Sequence, residues 1–113
     1  MLNFSEIARG LTDTMILARL SGGDSYGYRI SKEIRDLSGG RFEFKEATLY
    51  TAFRRMEQEG LIRSYWGDEV TGNRRRYYHI TQAGLALYGQ NKADWKVYQA
   101  WISSMLGMEE QSS

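Results

Sequence analysis

KEATLYTAFRRMEQEG (45–60), LIRSYWGD (61–68), EVTGN (69–73) and RRRYYHIT (74–81) follow one another without a break, and the reading of the chain turns on them. In the first segment Leu49, Ala52, Phe53 and Met56 recur at helical spacing. They predict a helix over 46–59 with an apolar stripe, closed by Gly60 as a left-handed cap. The second and fourth segments are rich in aromatic and β-branched residues and flank a turn containing Gly72 and Asn73. That pattern predicts a hairpin with a loop longer than two residues. In its second strand Arg74, Arg76, Tyr78 and Ile80 share one face, and Arg75, Tyr77 and His79 the other. Helix followed by hairpin is the second half of a winged helix.

Working outward toward the N-terminus, Ile7, Leu11, Ile16, Ala18 and Leu20 predict one helix over 5–21, with Asn3 and Glu6 at capping-box spacing. Gly22-Gly23 ends it. A second helix is expected after Asp24 as N-cap, with Tyr26, Ile30, Ile34 and Leu37 on its inner face. RFEF (41–44) reads as a small strand or an extended lead-in. Toward the C-terminus, Thr81 caps a long helix over 82–106. Its residues Leu85, Tyr88, Trp95, Tyr98, Ile102 and Met105 form one apolar stripe about 37 Å long at ~1.5 Å per residue. The fold class is therefore mainly α with a small β-hairpin: a winged helix-turn-helix over 1–81, a C-terminal dimerisation helix over 82–106 and a flexible polar tail over 107–113.

The totals narrow the function classes. At 113 residues there is room for one core. The net charge of +1 does not announce nucleic acid, so the distribution of charge has to. With no cysteine, disulfides and thiolate chemistry are excluded. No apolar run approaches the roughly 18 residues that span a bilayer, and MLNFSEIARG lacks a signal peptide's pattern, so a cytoplasmic protein without membrane contact is expected. Nucleophile elbows, phosphate loops and metal-ligand spacings are missing, and no cofactor, metal ligand or catalytic residue is assigned. His79 reads as a surface or groove-lining residue.

The helix over 46–59 turns a small, polar, cationic face away from its stripe: Thr48, Thr51, Arg54, Arg55 and Gln58, with Tyr50 on the flank. Such a face fits the major groove, where threonines touch base edges and arginines grip guanine or phosphate. Three consecutive arginines, Arg74, Arg75 and Arg76, place more positive charge on the adjoining wing. Either feature alone is ordinary solvated surface; together they predict a protein that binds double-stranded DNA.

EATLYTAFRRMEQEGLI, SYWGDEVTGNRRRYYHIT and the earlier ILARLSGGDSYGYRISKEI, with its Gly27-Tyr28, resemble the PadR family of bacterial transcriptional regulators over about 7–85. The length and single long last helix resemble a small subfamily that includes a lactococcal multidrug-binding regulator. Many family members carry Pro where this chain has Thr51, a departure the small subfamily shares. The resemblance implies a homodimeric repressor of a palindromic operator, released by a signal. It places Thr48, Tyr50, Thr51 and Arg54 on DNA. Lys45 and Arg55 join them on the charge argument, with the three wing arginines and Tyr28.

A winged helix of this size cannot cover the long stripe, so burial against a second copy is the economical solution. Packing back on the first helix is the alternative. Trp95 at the centre of such an interface could stack on a planar aromatic ligand with its symmetry copy, or simply pack. The resemblance favours the ligand, with Tyr98 beside it and Asp13, Thr14 and Leu17 as the opposite wall; Asp13 would favour a cationic ligand. Two other classes stay open: a DNA-binding regulator controlled by abundance or a protein partner, and a winged helix that binds protein.

Overall fold

The computed structural model describes residues 1–68 and 74–108. The tip of the wing, including Gly72 and Asn73, and most of the expected tail lie outside the described residues. The elements run α1 (Phe4–Arg9), α2 (Thr12–Leu20), β1 (Ser25–Tyr26), α3 (Gly27–Leu37), α4 (Glu46–Gln58), β2 (Ile62–Asp68), β3 (Arg74–Ile80) and α5 (Gln82–Met105). The sheet has three antiparallel strands in the order β1-β3-β2. Among the described residues no helix is long and apolar enough to cross a membrane.

The single first helix expected over 5–21 is two. Gly10, a poor helix former, interrupts it, and the Thr12 hydroxyl donates to the Arg9 carbonyl at 3.2 Å and the Ala8 carbonyl at 3.4 Å. Asn3 caps α1 by accepting from the Ser5 amide at 2.9 Å. The start of the second helix also differs. Residues 25 and 26 pair with Tyr78 and Tyr77, so α3 begins at Gly27 rather than at an Asp24 cap. The segment 41–44 is an extended lead-in and not a strand. Leu37, expected on the inner face, is exposed where the end of α3 overhangs the core.

The core joins Ile16, Leu17 and Leu20 of α2, Ile30 and Ile34 of α3, the α4 stripe of Leu49, Ala52, Phe53 and Met56, and Ile62, Tyr78 and Ile80 of the sheet. Phe53 stacks on Tyr78 with centroids 4.3 Å apart, fixing α4 to β3. Gly27 makes room on α3 for a side chain of α4: a Cβ there would lie 2.7 Å from the Tyr50 hydroxyl. Leu87 and Tyr88 of α5 pack on the core, but beyond them the helix leaves it. Trp95, Val97, Tyr98, Trp101, Ile102 and Met105 are all exposed in the single chain.

Candidate nucleic-acid interface

The period that buries the α4 stripe necessarily turns Thr48, Thr51, Arg54 and Arg55 to solvent, and all four are exposed. Lys45 precedes the helix, exposed, in extended conformation. Tyr50 is part-covered by its edge-on contact with Phe53, 5.5 Å between centroids. Tyr28 stands exposed on α3, lining a shallow cleft with Tyr50, Glu43 and Glu46.

The wing is tied to α4 by the Glu57 carboxylate. Glu57 accepts from the Ser64 amide at 3.2 Å and the Ser64 hydroxyl at 2.7 Å. Arg76 donates to the same hydroxyl at 2.7 Å and lies 3.8 Å from Glu57. No sequence spacing announces this contact, because it depends on how β2 folds back along α4. On the opposite face Arg75 sits 4.1 Å over the Tyr26 ring, and Arg29 covers the same ring at 4.8 Å. Tyr77 packs between Tyr26 and Tyr65.

Asp24 anchors that outer face. It accepts from the Tyr65 hydroxyl at 2.6 Å and pairs with His79 Nδ1 at 2.8 Å. The Tyr65 hydrogen bond, helped by His79 against the cost of burial, holds the Asp24 carboxyl below the usual carboxylate range. The same bond raises the Tyr65 hydroxyl.

Arg55, Asp13 and Leu17, all expected site residues, are placed differently from a free contact surface. Arg55 grips Asp13 through both guanidinium ends, at 2.6 and 2.7 Å, and reaches Glu59 at 3.3 Å. The Asp13 bonds and charge raise its already high pKa further. Asp13 is therefore matched by a cation of its own chain instead of standing alone for a cationic ligand. Leu17 is fully buried in the core and offers no wall to a ligand, a correction to its assignment: its side chain belongs to the cluster that holds the domain together. Thr14 accepts from Asn91 of α5 at 3.1 Å, one turn before Trp95. Trp95 and Tyr98 lie on α5, more than one-third exposed.

Residues 16–90 match the Transcriptional regulator PadR-like family, two-thirds of the chain. The chain belongs to the PadR-like family of transcriptional regulators. PadR-like regulators bind DNA, and are not enzymes. The chain is similar to a solved transcriptional regulator from Clostridium thermocellum, at 44% identity and a TM-score of 0.80, covering 88% of this chain and 96% of that one. It is also similar to a solved PadR family regulator from Clostridium difficile, at 36% identity and a TM-score of 0.74, covering 85% and 98%. An uncharacterized protein of Lysinibacillus sphaericus is 42% identical over 91 residues, 80% of this chain and 84% of its own length. These coverages make the winged helix with its long last helix the shared architecture of this PadR-like regulator and its relatives.

Proposed function

We propose that this PadR-like regulator is a cytoplasmic homodimeric repressor. One α4 enters the major groove at each half of a palindromic operator, and the wing holds the flanking backbone. Thr48, Tyr50, Thr51 and Arg54 face base edges and neighbouring phosphates. Lys45, Tyr28, Arg74, Arg75 and Arg76 supply backbone contacts, with Arg55 joining them when it leaves Asp13. The observation that carries this reading is the uninterrupted polar, cationic face of α4, braced by Glu57 against an arginine-bearing wing. The uncovered apolar half of α5 supports the dimer, since its exposed indoles and aliphatic groups recover their burial energy against a second copy. Residues 1–81 thus read DNA and 82–106 pair the copies.

Half-sites about one helical turn apart fit such a dimer. Arg75→Ala should weaken binding to every duplex alike, whereas Thr51→Ala should change base preference. The reverse pattern in competition binding sinks the assigned roles. Within the family, the small multidrug-binding subfamily is the reading favoured by the exposed Trp95 and Tyr98. A planar aromatic ligand would stack between paired Trp95 indoles, near Thr14 and Asp13, and release the operator. Planar cationic dyes that quench wild-type tryptophan emission but not that of Trp95→Ala support it. Equal quenching in both leaves a regulator controlled by abundance or a protein partner.

A further inference from the structure

We propose that the Trp66 indole is a DNA-contacting group of the wing. It packs on the sugar-phosphate ridge and presents Arg74 and Arg76 as a pair to neighbouring phosphates. The proposal rests on the DNA-binding reading above and adds to it a residue outside the basic and groove-reading set. The third strand stops early: β1 pairs only with Tyr78 and Tyr77. The next pair along the hairpin is Trp66 with Arg76, so from this point two strands project alone. Ile62, Ser64 and Trp66 share one face of β2 by its two-residue period. Ile62 is in the core and Ser64 is bonded to Glu57 of α4. Trp66 therefore continues the face on which α4 lies, yet the residue is 53% exposed.

Two guanidiniums flank that indole. Arg74 lies 5.2 Å from the ring centroid and Arg76 5.5 Å. An aromatic face engages a guanidinium through its charge and its flat side, while the N–H donors point out along the edge. Arg76 spends one of those donors on Ser64 and keeps others. The ring thus steadies Arg74 and, together with Ser64 and Glu57, holds Arg76, which lowers the entropy lost when the two grip phosphate. An indole also suits a boundary that is apolar on one side and wet on the other, and deoxyribose beside phosphate is such a boundary. The rival role is a strut that only stiffens the hairpin.

The test uses the full chain with Trp95→Phe and Trp101→Phe, leaving Trp66 as the sole indole, and a fluorescein-labelled mixed-sequence duplex at low salt. As anisotropy reports binding, Trp66 emission should change along the same isotherm. Trp66→Ala should weaken binding on the order of tenfold, the cost of ordering arginine side chains that the ring no longer holds. It should also flatten the salt dependence by about one or more phosphate contacts per subunit. Trp66→Phe, which keeps an aromatic face, should recover most of both. Thermal melts by circular dichroism check that the variants fold; if the Ala variant does not, the emission and the Phe variant decide. If the duplex binds while Trp66 emission stays constant, and the variants keep wild-type affinity and salt slope, the indole is only a strut. If the wild type shows no salt-sensitive binding, the DNA-binding reading fails and this proposal with it.

Discussion

The Asp13–Arg55 pair joins α2 to the DNA-facing helix across 42 residues of sequence. Asp13→Asn, Arg55→Gln and the double variant measure what it contributes. Both guanidinium ends reach the carboxylate, at 2.6 and 2.7 Å, so the geometry is that of a bidentate pair. The side chains are 49% and 28% exposed, so water screens much of the attraction. Exposed pairs contribute roughly 0.2–1 kcal/mol, and the bidentate geometry with a mostly covered carboxylate puts this one near the top, about 1 kcal/mol. Urea unfolding of the four proteins should return that coupling energy. It should shrink toward zero between about 0.05 and 0.5 M salt as the Debye length falls. Asp13→Asn should at the same time raise affinity for mixed-sequence duplex, because it frees Arg55 and removes a negative charge beside the DNA face. A coupling energy indistinguishable from zero at low salt, with unchanged duplex affinity in Asp13→Asn, would refute the view that Asp13 restrains Arg55.

Three further outcomes test other joints of the molecule. Gly84→Ala should destabilise by about 2–3 kcal/mol, read as a lowered melting temperature. The added Cβ would fall 2.2 Å from the Leu61 carbonyl oxygen and 2.8 Å from the Ile80 side chain, and the first is backbone. Glu57→Ala should cost about 1–2 kcal/mol by leaving the Ser64 amide and hydroxyl without their acceptor and Arg76 without its ion-pair partner, and should weaken duplex binding beyond what lost stability explains. Binding at a temperature where both proteins are folded separates the two effects. Tyr65→Phe should flatten the pH dependence of stability at both extremes. Asp24 is held below its ordinary 3.8, so its contribution is complete above that value and is lost as pH falls through the lowered pKa. Tyr65 is raised above its ordinary 10.0, so its contribution is complete below that value and is lost as pH rises through the raised pKa. Melting temperatures that fall as steeply in the variant as in wild type at both ends would show that the pair contributes nothing.

What the chain disclosed before folding follows from which signals are local. Leu49, Ala52, Phe53 and Met56 announce α4 because helical period is a property of one segment, and the buried stripe settles which residues face outward. Alternation in 74–80 likewise separates Tyr78 and Ile80 from Tyr77 and His79. The break at Gly10 was legible in principle, but the apolar spacing continued across it and outweighed a single glycine. β1 was not legible: two residues become a strand only because β3 presents an edge to them. The same holds for the partners of Asp24 and Glu57 and for Asp13 opposite Arg55. Each lies tens of residues away or on another element, and a charged side chain carries no mark of whether water or a neighbour will satisfy it. Leu17 went astray for a related reason, since an apolar residue on a helix can line an interface or a core, and only packing decides.

The central claim is that α4 and the wing hold DNA through their cations. The measurement that reaches it most directly is the salt dependence of binding to a duplex selected by this protein from its source genome, followed by fluorescence anisotropy. Several arginines and lysines per subunit should make log K fall linearly with log salt, with a slope on the order of −5 to −8 for a dimer on one duplex. A slope near zero, or no binding at about 50 mM salt, would contradict the account.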